Sequence, residues 1–348
     1  MNGVAPPMTT PLRVGLIGAG AISHAHVPGW LALGARITVY SQAGSHELAA
    51  RYGLEVAESL DELWPGVDVI DIVTPTSTHA EFALAAIGRG KHVVCEKPLA
   101  RTAADSAAVV EAAERTGVRL FPAHVVRYFP EFLAARGAIA AGRIGRPAVF
   151  RFRRQSAAPQ AAWFFDDAVS GGIVMDQMIH DLDQAEWLGG PVRRVFARLQ
   201  RRGGAVAPVV AAQVVLDHES GLISHVHGTW GSPALPFSYS FDLAGDTGVL
   251  RFDSARDDTV RAVFPPVEPG GYLPETSGAE SPYSVEIADF ARAIRSGGPA
   301  RVDGADGVRA VRIAEAALES IERGLPVEVQ PTGEVDASTD DTLIGARA

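Results

Sequence analysis

Between Leu12 and about Ala123 the chain alternates short apolar runs with helix-like stretches, and this alternation restricts the fold more than any other feature. The runs Arg13–Ile17, Ile37–Tyr40, Val67–Val73, His92–Cys95 and Arg119–Ala123 are built largely from Val, Ile and Leu. A strand with no regular polar face is buried on both sides, as in a parallel sheet covered by helices. Stretches around Ser23–Leu33, Ser45–Tyr52, Ser59–Leu63, Ala80–Arg89 and Ala104–Arg115 are the expected helices. Residues 12–125 therefore read as an α/β unit with a doubly wound parallel sheet.

After Pro130 the texture changes. A helix over Glu131–Ala141 leads into a strand at Ala148–Arg154, and a further helix is expected near Gly172–Leu188. Val195–Gln200, Val209–Leu216, Leu222–Trp230, Ser238–Leu243 and Gly248–Asp253 then follow with turn residues between them. Consecutive alternating strands without intervening helices predict a mostly antiparallel sheet, so residues 126–330 form a second α/β domain. The amphipathic helix Asp306–Arg323 is a candidate to pack back on the first domain. Residues 1–11 read as a flexible N-terminus and residues 331–348 as a disordered tail.

The formal charge of −10 leaves no basic face to neutralise phosphates, which argues against a nucleic-acid partner. Arg151, Arg153 and Arg154, and Arg201-Arg202, read as solvated strand faces. The single cysteine, Cys95, lies inside an apolar strand and reads as a small buried hydrophobe in a reducing compartment. The N-terminus has no basic segment followed by an apolar core, and no apolar run reaches the roughly 20 residues of a membrane span. A cytoplasmic protein with no membrane partner is expected.

The first strand runs into Gly18-Ala19-Gly20-Ala21-Ile22-Ser23 and the first helix. Two glycines here suit a tight turn and the close approach of a pyrophosphate to a helix N-terminus, and the strand–turn–helix context supports dinucleotide binding. The third small position is Ser23, not Gly or Ala. The second strand ends in Tyr40-Ser41-Gln42 without the acidic residue that would accept from the NAD 2′-hydroxyl, and no arginine follows to hold a 2′-phosphate. Ser41 tips the expectation slightly toward NADP.

The fourth strand delivers Glu96 and Lys97 to its C-terminal end, where Pro98 stops it. Strand ends of this kind form the ligand crevice of an open parallel sheet, and a lysine there is a usable charged or proton-transferring group. In the second domain Asp176 and His180 stand four apart on an expected helix, where a carboxylate could orient an imidazole base. The same spacing also fits a surface pair, half of a metal site with Asp183, or a core histidine with a structural partner. No compact cluster supplies further zinc ligands, so no metal is expected. His225 and His227 share a strand face and read as structural.

Taken together, Gly18-Ala19-Gly20, Thr74-Pro75-Thr76-x-x-His79, Glu96-Lys97-Pro98, His124-x-x-Arg127-Tyr128-x-Pro130 and Gly171-Gly172-x-x-x-Asp176-x-x-x-His180 resemble the glucose–fructose oxidoreductase/inositol dehydrogenase (Gfo/Idh/MocA) family over about residues 12–330. The resemblance implies an N-terminal Rossmann domain, a C-terminal domain with a large open sheet, and NAD(P)-dependent chemistry at a secondary alcohol of a sugar or cyclitol. It implies Lys97, Asp176 and His180 as the catalytic set: His180 as base, Lys97 polarising the same oxygen, and Asp176 holding His180 or touching substrate. Thr74, Pro75, Thr76, His79, Glu96 and Lys97 match cofactor-lining positions alongside Gly18, Gly20, Ala21, Ile22 and Ser41. His124, Arg127, Tyr128 and Trp163 are candidates for the substrate wall, though the aromatic ones suit interdomain packing equally. The resemblance also implies a homodimer or homotetramer. A dihydrodiol- or imine-type reductase on the same scaffold, and a non-catalytic nucleotide-binding regulator, are the alternative readings.

Overall fold

The computed structural model describes residues 10–203, 209–255 and 281–329. The expected disordered tail and most of the expected flexible N-terminus lie outside these residues. The first sheet is built from β1 (Arg13–Ile17), α1 (Ser23–Ala32), β2 (Arg36–Tyr40), α2 (Ser45–Tyr52), β3 (Glu55–Val56), α3 (Leu60–Leu63), β4 (Val69–Ile72), α4 (His79–Ile87), β5 (His92–Glu96), α5 (Ala103–Thr116) and β6 (Leu120–Ala123). Its strands are parallel in the order β3-β2-β1-β4-β5-β6. That is the Rossmann order, with the switch point between β1 and β4, and a ligand crevice opens beyond the strand ends there. Val14, Leu16, Val69, Ile70, Ile72, Val93 and Val94 are buried on both faces of the sheet. Each such side chain contributes about 1.5–3 kcal/mol of burial.

The second unit runs through α6 (Pro130–Ala140), β7 (Pro147–Ala157), α7 (Asp167–Ser170), a π-helical turn (Val174–Met178) and α8 (Ile179–Gly189). It continues with β8 (Val192–Arg202), β9 (Val209–His218), β10 (Ile223–Gly231), β11 (Ser238–Gly245) and β12 (Val249–Asp253). After α9 (Pro282–Ser296) and α10 (Gly304–Arg323), β13 (Val327–Glu328) completes a seven-stranded sheet in the order β12-β11-β7-β10-β9-β8-β13. The sheet is antiparallel except between β7 and β10, which pair parallel. α8 and α10 cover one face. The other face carries Arg151, Arg153, Gln213, His225 and Arg251 in a shallow open concavity.

The elements depart from the expectation in three places that matter. The helix expected over Gly172–Leu188 begins with the π-turn, so its residues do not keep α-helical spacing there. α9 was not expected, although Pro282 at its first turn and Gly297 just beyond its end are ordinary boundary signals. It packs on α1, and at Gly29 any Cβ would stand 3.2 Å from Ser284 Cα and Ile287 Cβ. Ile287 and Phe290 thereby join Val27, Trp30, Phe121 and Tyr128 in one cluster. Finally, Arg154 is not a solvated strand residue. The alternation of β7 exposes Arg151 and Arg153 but turns Arg154 inward, 2 % exposed, where Asp181 pairs both of its edge nitrogens at 2.8 and 2.9 Å. α10 starts in a reciprocal cap between Asp303 and Asp306 and lies against both α5 and β8, bridging the two units.

Candidate active site

A cavity of about 1430 Å³ lies beyond the C-terminal ends of the first sheet and is closed on its far side by β7, the π-turn and α8. Its near wall begins with the glycine turn. Gly18 has φ +113°, and a Cβ on it would meet the Val73 carbonyl oxygen at 2.7 Å, so a side chain is excluded on both counts. Gly20 has open space where a Cβ would be, and Ser23 Oγ closes the turn by donating to Gly20 O at 2.6 Å. The turn opens directly onto the N-terminus of α1, and Gly20, Ala21 and Ile22 all line the cavity. A pyrophosphate fits this cradle: bare backbone, room above Gly20 and the positive end of a helix. Tyr40, Ser41 and Gln42 form the wall at the end of β2.

Further along, Thr74, Pro75, Thr76 and His79 line the same wall. The Thr74 and Thr78 hydroxyls lie 2.7 Å apart, and Thr78 donates to Pro75 O at 2.8 Å. The two ring nitrogens of His79 lie 2.7 Å from Pro98 O and 2.9 Å from Thr74 O, tying the β4–α4 turn to the segment that follows Lys97.

Beneath Glu96 is a buried arrangement that the sequence reading missed. His26 Nδ1 faces both oxygens of Asp71 at 3.0 and 3.1 Å, and His26 Nε2 faces Glu96 Oε1 at 3.1 Å. Trp30 Nε1 donates to Asp71 at 2.8 Å, while the Lys97 backbone N–H donates to Glu96 Oε2 at 2.9 Å. Burial opposes a charge on His26, but the two carboxylates outweigh it and hold the imidazole well above its usual pKa. Glu96 is held below the usual carboxylate range because His26 and Lys97 overcome its burial. The signal was present: Asp71 is a charged residue in the middle of the fully buried strand Val69–Ile72.

Lys97 and His180 face the same cavity. Lys97 Nζ donates to Asp176 Oδ1 at 3.0 Å and to Asp176 O at 2.9 Å. Asp176 thus anchors Lys97; the expected Asp176–His180 pair does not form, and His180 Nδ1 is buried with no hydrogen-bond partner. The π-turn carrying Asp176 removes the one-above-the-other spacing that the pairing assumed. His180 is held well below the ordinary imidazole pKa, first by burial and then by the positive charges of Lys97 and Arg154. Its ring is therefore neutral at neutral pH, with one nitrogen able to accept a proton.

The expected substrate wall is only partly present. Trp163 lines the cavity and stacks on Phe164 with ring centres 3.8 Å apart. His124, Arg127 and Tyr128 do not line it; their neighbours Val125, Val126 and Phe129 do. Arg127 is buried between Asp183, at 2.6 and 2.9 Å, and Asp306, at 3.0 Å, joining α8 to α10. A guanidinium flanked by two carboxylates is held by them rather than offered to a ligand. The Tyr128 hydroxyl donates to Asp289 at 2.9 Å and its ring packs on Phe290 and under Arg301. Arg154, Gln177, Phe237 and Tyr283 contribute wall that the sequence reading did not single out. No described helix is long and apolar enough to cross a membrane.

This geometry agrees with comparisons to known proteins. Residues 12–124 match the family model described as an oxidoreductase family with an NAD-binding Rossmann fold, and residues 132–251 match the Gfo/Idh/MocA C-terminal domain. The myo-inositol 2-dehydrogenase of Thermotoga maritima is 29% identical over 92% of this chain and 99% of its own length. A D-xylose 1-dehydrogenase (NADP(+)) of Haloferax volcanii is 31% identical over 76% of this chain and 81% of its own. The solved structure of levoglucosan dehydrogenase with NADH superposes with a TM-score of 0.77 at 26% identity, covering 92% of this chain and 100% of that one. With both domains matched in order and the Rossmann crevice carrying the expected glycine turn, the chain belongs to the Gfo/Idh/MocA family of oxidoreductases.

Proposed function

We propose that this protein transfers hydride between a nicotinamide dinucleotide and a secondary alcohol or ketone carbon of a sugar or cyclitol. The observation that carries the reading is that Lys97 and a neutral His180 face one cavity together with the glycine turn. The nicotinamide supplies the hydride acceptor. The chain must then remove the hydroxyl proton and stabilise the oxygen as it becomes a carbonyl. His180 accepts the proton at Nε2, the nitrogen not buried behind the ring. Lys97, with two donors committed to Asp176, keeps its third N–H for the substrate oxygen. Asp176 is a positioning residue for Lys97, and Trp163 with its stacked neighbour Phe164 forms part of the substrate wall.

Gly18, Gly20, Ala21, Ile22, Thr74, Pro75, Thr76, His79 and Glu96 are proposed to hold the cofactor. At the β2 end the described wall offers Ser41 and Gln42 but neither a carboxylate nor a cation, and Ser45 is buried in α2. A 2′-phosphate would find no positive charge there, so the reading admits both cofactors and drops the lean toward NADP. The exposed face of the second sheet is the proposed surface for a dimer or tetramer, which light scattering on the purified chain would test.

A panel of myo-inositol, scyllo-inositol, D-xylose and levoglucosan, run separately with NAD and NADP and read by reduced-nicotinamide absorbance, tests the assignment. Lys97→Ala and His180→Ala should each lower turnover by roughly 10²–10⁴, the usual contribution of a proton-transferring group. Wild-type turnover in both variants would overturn the reading.

A further inference from the structure

Four buried polar atoms without a hydrogen-bond partner belong to three side chains around Asp183: His180 Nδ1, both ring nitrogens of His124, and Gln184 Oε1. His180 and Gln184 are one turn apart on α8 and share its face. Gln184 Nε2 donates to Asp183 Oδ2 at 3.4 Å, and His124 Nδ1 lies 3.8 Å from the same oxygen. His124 and Gln184 thus both approach one oxygen of Asp183, which lies one turn beyond His180 on α8, so the unpaired atoms share one buried region. His124 and Gln184 are 1 % and 0 % exposed. Native interiors leave few such atoms unpaired, and several together mark a place where a buried water makes its two to four hydrogen bonds.

We propose that His124 is the positioning residue for His180, the two rings joined through a buried water that Gln184 also holds. This rests on the reading of His180 as the base. A neutral imidazole carries one N–H, and for Nε2 to accept the substrate proton that N–H must be at Nδ1, the buried end. A buried N–H needs an acceptor, and Asp176 is engaged with Lys97. The negative charge of Asp183, although 3.8 Å away and beyond hydrogen-bond length, favours the proton of His124 on its Nδ1 and leaves a lone pair on its Nε2. Asp183 is itself fixed by both nitrogens that Arg127 presents to it. A water then accepts from His180 Nδ1–H and donates to His124 Nε2 and to Gln184 Oε1. Three of the four unpaired atoms gain a partner this way, and the fourth, His124 Nδ1, turns its proton toward the Asp183 charge at 3.8 Å.

The test uses His124→Leu and His124→Asn in the full chain, assayed on the best substrate of the panel above. Leucine removes the acceptor, so kcat should fall roughly 10–100-fold, by analogy with the cost of removing the orienting partner of a metal-ligating histidine. KM for the substrate and the dissociation constant for NADH should stay within about twofold, since His124 does not line the cavity. Asparagine, which restores an acceptor oxygen, should recover part of the loss. A purely structural role predicts equal losses in His124→Leu and His124→Asn that follow the fall in thermal midpoint, whereas the positioning role predicts recovery of kcat with asparagine at an equal midpoint. Independently, ¹⁵N spectra of histidine-labelled wild-type protein, with His180 assigned through His180→Gln, should show the Nδ1–H tautomer. Wild-type kcat in His124→Leu, or an Nε2–H tautomer at His180 in the wild type, overturns the proposal. If His124→Leu does not fold, the wild-type tautomer decides. Inactive His180→Ala beside fully active His124→Leu would remove only this role, whereas active His180→Ala would remove the base assignment itself.

Discussion

Replacing His26 with leucine probes the clamp under Glu96. The imidazole is fully buried and faces Asp71 at 3.0 and 3.1 Å and Glu96 at 3.1 Å. Leucine removes the cation and strands two carboxylates in a dry interior, with Trp30 Nε1 and the Lys97 backbone N–H as donors that remain. Breaking a buried ion pair from one side costs about 3–5 kcal/mol, and the remaining donors place the expected loss near the lower end, about 3 kcal/mol. The pH dependence gives the sign. Glu96 has a depressed native pKa, so its contribution is present above the unfolded value of about 4.3 and is lost as pH falls through the folded one. His26 has a raised native pKa, so its contribution is complete below the unfolded value of about 6.5 and is lost as pH rises through the folded one. The clamp is therefore strongest between about pH 5 and 6.5. In the variant, Glu96 loses the charge that held its proton affinity down, so acid should stabilise the variant relative to the wild type. Urea unfolding at a series of pH values should show the gap narrowing from about pH 6 to about pH 4.5. A loss below about 1 kcal/mol at pH 6, or a gap that stays constant over that range, would refute the charged clamp.

Two further substitutions test the cavity. Lys97→Met should shift the acid limb of kcat/KM upward toward the ordinary imidazole value of about 6.5, because one of the positive charges disfavouring His180 protonation is gone. Burial and Arg154 remain, so the shift should stop short of that value, and an unmoved limb in the residual activity would disprove the coupling. Gly18→Ala forces a Cβ against Val73 O at φ +113°. It should weaken NADH binding, read by fluorescence titration, by roughly tenfold for about 1–2 kcal/mol of strain at the cradle, and an unchanged dissociation constant would count against a pyrophosphate seat there.

The first sheet was legible because each of its main strands is an apolar run with helical punctuation, a pattern set by local burial. Lys97 was legible for the converse reason: a cation at the end of such a run has no packing role. What escaped depends on geometry that spacing does not carry. Asp176 and His180 are four apart, but one π-turn sends the carboxylate to Lys97, and nothing in the residues between them announces that extra step in the backbone. Arg127 looked like a ligand-facing cation beside an aromatic, yet its partners Asp183 and Asp306 lie far along the chain. Arg154 could have been placed correctly, since a strand that shows Arg151 and Arg153 to solvent must turn the next residue inward. His26 carried no signal of its own, because its two carboxylates come from β4 and β5 and meet it only in the folded sheet; Asp71 within an apolar strand was the one hint of a buried partner.

The seating of α9 on α1 makes the nucleotide-binding half a discontinuous structure. The stretch from α6 to β12 is, in topological terms, an insertion within it. A fragment cut at residue 125 would leave Val27, Trp30 and Phe121 without Ile287 and Phe290 to cover them, and should be sticky rather than soluble. The apolar surface of α1 gains its cover only once α9, more than 240 residues later in the chain, has been made.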